Sequence, residues 1–242
     1  MVEVPDYVAD FMAEHRYDII VAVLVFAAVM VMGLAILLFF GLSLAQSFKL
    51  RPQKHPKGAS VMFVLGSGGH TMELLSVVST LNFALYPTRT WVHFSGDTLS
   101  PVRAMAVEQS KMLESVESKT SVKGKAEMVC LPRARNVGQS YITSVFTTLL
   151  CGAYCIGTVF KTRPDVVVCN GPGSCVMICF ACLFLRALQI KQTRMVYIES
   201  FARVSTLSVS GKLLLRMVDR FIVQWPQLKE KYKGVEYYGI LA

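Results

Sequence analysis

What this sequence has least of is charge. Only 17% of its 242 residues are Asp, Glu, Lys or Arg, against 53% hydrophobic residues and a mean hydropathy of +0.48. Soluble domains carry about a quarter charged residues, so a sizeable part of this chain avoids water. The 16 glycines and 9 prolines are too few and too scattered for a collagenous or low-complexity chain, and the apolar excess excludes disorder. The length allows one domain, or one domain and an anchor, but not comfortably two.

The charge that is present is unevenly placed. Residues 1–48 hold Glu3, Asp6, Asp10, Glu14 and Asp18 against Arg16 alone, −4, so the other 194 residues must carry +13 to reach the formal total of +9. Ile19–Ala45 is a stretch of 27 residues without a charge. At about 1.5 Å per residue it exceeds the roughly 30 Å of a hydrocarbon core, so it reads as one membrane span. A cleaved signal peptide would have a basic lead and a shorter apolar run. Lys49, Arg51, Lys54 and Lys57 follow directly and place that side in the cytosol. The expected organisation is a luminal tail (1–18), an anchor (19–48), a basic linker (49–60) and a cytosolic domain (61–242).

Two later charge-free stretches, Tyr141–Phe160 and Val166–Leu185, read differently. Asn170-Gly171-Pro172-Gly173 interrupts the second, which becomes a strand, a turn and a helix. Basic residues flank the first on both sides, so a crossing would carry one cluster to the wrong side. The expectation is a helix whose apolar face is buried or rests on the membrane surface.

From residue 61 onward short apolar strands alternate with helices. Val61–Leu65, Thr90–Phe94, Glu127–Leu131, Val166–Cys169, Met195–Ile198 and Phe221–Val223 read as strands, with Val235–Tyr238 as a further short element. His70–Leu81 repeats apolar residues at helical spacing, and Ser100 followed by Pro101 reads as a helix cap. Strands that are continuous apolar runs separated by helices indicate an α/β fold, a Rossmann-like doubly wound parallel sheet. Ligands of such sheets bind beyond the carboxyl ends of the strands.

The loops at those ends carry the candidate chemistry. Gly66-Ser67-Gly68-Gly69-His70 follows a strand and opens a helix, where backbone N–H groups can meet a phosphate; a merely tight turn is the alternative. Neither the dinucleotide fingerprint nor a P-loop is complete there. Asn170-Gly171-Pro172-Gly173-Ser174 repeats the arrangement. His70 is a candidate base, or a helix-capping residue. Glu199 follows the fifth strand directly, where it can bond a sugar hydroxyl, accept a proton, or pair with Arg203. Arg133 and Arg135, with Lys119, Lys123 and Lys125, surround the third strand and suit a diphosphate or anionic headgroups. Nucleic acid is not expected, since aromatic residues do not interleave with these bases. Cys175, Cys179 and Cys182 recur at helical spacing in an apolar run and read as buried free thiols, so no metal site is expected.

Leu65–Thr71, Arg133–Asn136, Cys169–Gly173, Tyr197–Ser200 and Phe221–Tyr232, together with the single anchor, resemble the membrane-anchoring subunit of the dolichyl-diphosphate N-acetylglucosamine transferase of the endoplasmic reticulum. That family is similar to the N-terminal half of GT-B glycosyltransferases. The resemblance implies a chain that holds a lipid-diphosphate acceptor and recruits a soluble catalytic subunit, through which UDP-GlcNAc is supplied, to the endoplasmic reticulum membrane; no cofactor is implied. It assigns His70 as candidate base and Glu199 as a second site residue, with Gly66, Ser67, Gly68 and Gly69 in the interdomain cleft. Asn170, Gly171, Gly173, Arg133 and Arg135 are candidate acceptor contacts. Ser200 and Phe201 depart from the single-chain enzymes' pattern after Glu199. The apolar end, Tyr238, Gly239, Ile240 and Leu241, is a candidate partner surface.

Overall fold

The computed structural model describes Met30 and residues 58–117, 124–135, 138–139, 141–171 and 173–241. The expected tail, nearly all of the expected anchor and most of the expected linker therefore lie outside the described residues. Two units divide at Ala45; of the first, only Met30, which is helical, is described.

Within the second unit the apolar runs form seven strands: β1 (Ser60–Val64), β2 (Thr88–Phe94), β3 (Lys125–Leu131), β4 (Val166–Cys169), β5 (Arg194–Ile198), β6 (Arg220–Val223) and β7 (Glu236–Tyr237). The helices between them are α1 (Gly69–Ser79), α2 (Leu99–Glu117), α3 (Tyr141–Thr162), α4 (Gly173–Ala187), α5 (Val209–Leu214) and α6 (Pro226–Lys231). All six neighbouring strand pairs are parallel, in the order β3-β2-β1-β4-β5-β6-β7. This is the expected doubly wound sheet, and the chain reverses direction across it between β1 and β4. A ligand crevice belongs at that switch.

Alternation along β1 sorts its side chains onto two faces. Val61, Phe63 and Leu65 join Leu74, Leu75 and Val78 of α1, while Met62 and Val64 join Cys151, Cys155 and Val159 of α3 and Cys179 and Cys182 of α4. Cys179 and Cys182 have C-x-x-C spacing, but both are fully buried, and burial holds the Cys182 thiol well above the ordinary thiol range. No group of residues suited to a metal occurs among the described residues.

Buried charge ties the layers together. Arg89, fully buried on β2, meets the Glu108 carboxylate of α2 in a two-pronged contact at 2.8 and 2.9 Å, and Trp91 Nε1 donates to the same carboxylate at 2.7 Å. Arg186 at the end of α4 pairs with Asp219 just before β6. At the amino-terminal rim of the sheet, Asp165 accepts from the Ser60 N–H at 2.8 Å, the Ser60 hydroxyl at 2.9 Å and Lys191 Nζ at 2.6 Å.

One expectation fails locally. Ser100 does not cap α2, which already begins at Leu99; Asp97 instead accepts from the Ser100 N–H at 3.1 Å and from its hydroxyl at 2.6 Å. A carboxylate two residues before the helix satisfies the orphan N–H groups better than the hydroxyl inside the first turn.

Helix α3 is the crossover from β3 to β4, so both its ends are tied to one sheet. Its Thr143–Thr162 portion is the one helix among the described residues long and apolar enough to cross a membrane, with only 22% of its apolar window buried. Cys151, Cys155 and Val159 face the core, while Phe146, Leu149, Leu150 and Tyr154 are exposed. The helix thus buries one apolar face against the sheet and leaves a second apolar face exposed.

Candidate functional site

The two glycine loops meet at the switch between β1 and β4. Gly66 and Gly171 press so closely that a Cβ on Gly66 would sit 2.3 Å from the Asn170 carbonyl oxygen, and one on Gly171 would sit 2.9 Å from Gly66 Cα. Gly171 also has φ 131°, in the region that side chains rarely adopt. Both residues are glycine because the loops touch backbone to backbone.

Beside this crossing lies a cavity of about 440 Å³, lined by Gly66, Ser67, Phe94, Arg133, Arg135 and the first turn of α4 from Gly173 to Cys175. The amino end of a 15-residue helix and two guanidinium-bearing side chains therefore border one space. That combination favours an anion, through backbone N–H groups, the helix dipole and forked charged donors. Arg133 is half-buried and Arg135 exposed; one Arg135 nitrogen donates to the Gln139 carbonyl at 3.0 Å. The Ser95 hydroxyl accepts from the Arg133 backbone N–H at 3.3 Å, which anchors the loop to the end of β2.

The structure brings Gly66, Ser67, Gly173, Arg133 and Arg135 around this cavity. Gly68 and Gly69 are exposed beside it with open space around them, and neither lines it. Asn170 is fully buried and Gly171 is committed to the loop crossing, so these two build the site without lining it.

His70, half-buried at the start of α1, sits outside the cavity lining but on the same rim of the sheet. Its Nδ1 lies 2.9 Å from Asn170 Oδ1. Asn170 Nδ2 in turn donates to Glu73 Oε2 at 2.8 Å. Glu73 also accepts from the Ser200 hydroxyl at 2.8 Å and from the Phe201 N–H at 3.2 Å. Sequence reasoning missed Glu73, whose only signal was its place three residues after His70 on one helix face.

Glu199 has a different place from the one expected. It is 1% exposed, and its carboxylate accepts from the Ser200 N–H at 3.1 Å and from the Ser208 N–H and hydroxyl at 3.0 and 3.1 Å. Ser208 is the N-cap of α5, where its hydroxyl accepts from the Gly211 N–H. Glu199 therefore ties the end of β5 to the start of α5 and does not reach the cavity; its partners are serines rather than Arg203. The Tyr197 hydroxyl beside it is pushed above the ordinary phenol range, first by burial and then by the Glu199 charge. Tyr197 donates to the Gly171 carbonyl at 3.2 Å and so braces the loop crossing from below.

At the chain end, Tyr238 and Ile240 are more than half exposed, Gly239 has φ 89°, and Leu241 is half-buried. The Leu241 N–H donates to Gln224 Oε1 at 3.1 Å, which draws the segment back against β6.

Comparison with known proteins bears on residues 61–241, which match the family model described as "Oligosaccharide biosynthesis protein Alg14 like". A Yarrowia lipolytica protein named "UDP-N-acetylglucosamine transferase subunit ALG14" is 42% identical over 223 residues, covering 92% of this chain and 100% of that one. The Rattus norvegicus protein of the same name is 40% identical over 208 residues, covering 86% of this chain and 93% of its own. Among solved structures, Acinetobacter baumannii MurG aligns at 14% identity and a TM-score of 0.47, over 75% of this chain and 44% of that one, a likeness too remote to bear on function. Near-complete coverage of relatives at about 40% identity, together with the matched domain, places this chain in the Alg14-like family of oligosaccharide biosynthesis proteins.

Proposed function

We propose that this chain is the membrane-side, acceptor-holding subunit of a two-chain N-acetylglucosaminyltransferase. It adds the second N-acetylglucosamine to GlcNAc-diphosphodolichol, the lipid-linked precursor of N-glycans, on the cytosolic face of the endoplasmic reticulum. The observation that carries this reading is the cavity at the β1/β4 switch, where Arg133, Arg135 and the amino end of α4 border a space suited to a diphosphate. The relatives' printed name, a transferase subunit, supports a second chain that binds UDP-GlcNAc.

In this reading the acceptor diphosphate lies in the cavity and its sugar hydroxyl points toward His70. The hydroxyl oxygen forms the new bond to the anomeric carbon of the donor as the bond from that carbon to UDP breaks. His70 takes the hydroxyl proton and UDP leaves with the electron pair. Holding donor and acceptor in one orientation supplies much of the rate, which is why two chains must close on each other. The exposed Tyr238, Gly239 and Ile240, with Leu241, are the proposed contact with the soluble subunit. The single anchor at residues 19–48 and the exposed face of α3 hold the domain at the membrane.

Reconstitution tests this. The purified full-length chain in detergent is expected to transfer no sugar until the soluble subunit is added, and robust turnover by the chain alone overturns the proposal. In the reconstituted pair, Arg133→Ala should raise the acceptor KM about tenfold or more, since a hydrogen bond to a charged group is worth about 1.5–3 kcal/mol. The donor KM should not move.

A further inference from the structure

The contacts around His70 fix more than its position. Glu73 accepts from three sides: the Asn170 amide, the Ser200 hydroxyl and the Phe201 N–H. A carboxylate accepts and does not donate. The face of the Asn170 amide turned toward Glu73 must therefore be its NH2, and the face turned toward His70, 2.9 Å away, must be its carbonyl oxygen. An amide oxygen cannot donate, so the hydrogen bond to His70 requires a proton on Nδ1. In the neutral ring the lone pair is then on Nε2.

We infer that Glu73 is a positioning residue that, through Asn170, locks neutral His70 in its Nδ1–H form and so keeps Nε2 available as the proton acceptor. The inference deepens the proposed function and rests on it for the role of His70, but the tautomer itself does not depend on any activity.

Three features make this lock a built one. Asn170 is fully buried and Ser200 nearly so, which shields the chain of bonds from exchange with water. Its members come from three separate elements of the fold: the first two turns of α1, the loop after β4 and the loop after β5. The Phe201 N–H is a backbone group whose direction is set by the chain, so the Glu73 oxygen that also faces Asn170 is held as an acceptor irrespective of side-chain rotation. His70 touches the proton being transferred in the proposed reaction; Glu73 acts only through Asn170.

The difference between Glu73→Leu and Glu73→Gln provides the test. Leucine leaves the Asn170 amide free to turn over and present its NH2 to the ring. Glutamine keeps an oxygen for Asn170 and the Phe201 N–H, and turns its own NH2 to the Ser200 hydroxyl, which can accept. Nitrogen-15 NMR of imidazole-labelled full-length protein, in detergent and above the histidine titration, reads the tautomer directly. Wild type and Glu73→Gln are expected to show His70 protonated at Nδ1, and Glu73→Leu to show a substantial Nε2–H population. In the reconstituted pair Glu73→Leu should lower kcat at least tenfold with the acceptor KM nearly unchanged, and Glu73→Gln should recover most of that loss. In a His70→Gln background Glu73→Leu should cost little more. An Nε2–H ring in the wild type, or an Nδ1–H ring that persists in Glu73→Leu, overturns the inference. A locked Nδ1–H ring whose loss leaves kcat unchanged overturns the role of His70 in the proposed function and leaves the tautomer assignment standing.

Discussion

Glu199 and Glu73 exchange the roles that their positions suggest. A carboxylate at the tip of a parallel strand looks like a crevice residue, yet Glu199 is spent on Ser200 and the capping Ser208. Its surroundings leave no slack, because a Cβ on Gly211 would lie 2.1 Å from Glu199 Oε2. Glu199→Gln must turn an NH2 group toward either the Ser200 N–H or the Ser208 N–H, stranding a buried donor at a cost of about 1–3 kcal/mol. A lowered Tm is the expected outcome, read by thermal melting, with activity falling only as far as folded protein is lost. A variant with wild-type Tm and no turnover would return Glu199 to the chemistry. Glu73 could not have been singled out from sequence, since a glutamate in the first turns of a helix is usually a solvated group or a partner for the dipole. Only the packing of α1 against two loops shows that it receives hydrogen bonds from residues about a hundred positions and more away.

At the level of elements, the strands were legible almost to their ends. A strand buried on both faces is a continuous apolar run, and Val166–Cys169 is bounded as expected. The glycine loops were legible as turns at strand ends, but not why Gly66 and Gly171 are glycine, because the two backbones that touch there are about a hundred residues apart in sequence. The start of α2 was not legible, because Asp97 caps it from the preceding turn and local propensity cannot rank two capping candidates three residues apart. Helix α3 was legible as a long apolar helix with a face to cover, but not as to which residues face outward. The structure now names them, with Phe146 71% and Leu149 66% exposed. Replacing both by Glu removes apolar groups that a membrane surface would cover, each worth about 1.5–3 kcal/mol when fully buried. With residues 1–48 removed, the double variant should bind liposomes at least tenfold more weakly in flotation, while its melting curve stays within a few degrees of the parent. Unchanged flotation would remove α3 from the membrane contact.

For the molecule as a whole, acid should loosen the rim opposite the cavity first. Burial alone would raise the Asp165 carboxyl, but Lys191 and the two Ser60 donors outweigh it and hold the group below its ordinary value of 3.8. The Arg220 guanidinium, against the smaller effect of burial, holds Glu236 below its ordinary 4.5. Both folded-state values lie below the unfolded ones, so each contributes stability that is complete above the ordinary value and is lost as pH falls through the depressed one. Denaturant melts should thus show a stability plateau above about pH 5 and a decline that begins near pH 4.5 and steepens below 3.8. In Asp165→Asn the decline should be shallower and the plateau lower. A decline unchanged by this substitution would mean that other carboxylates govern acid unfolding.

Because every strand runs the same way, the two rims of the sheet carry different chemistry. The Ser60–Asp165–Lys191 clasp is at the rim where strands begin, and the glycine crossing with its arginines is at the rim where they end. The carboxylates expected to govern acid unfolding and the cavity proposed to hold a diphosphate are thereby at opposite ends of the same strands. A lineage adapting to a more acidic habitat can revise the first rim through single exchanges at Ser60 or Lys191 while inheriting the second rim intact.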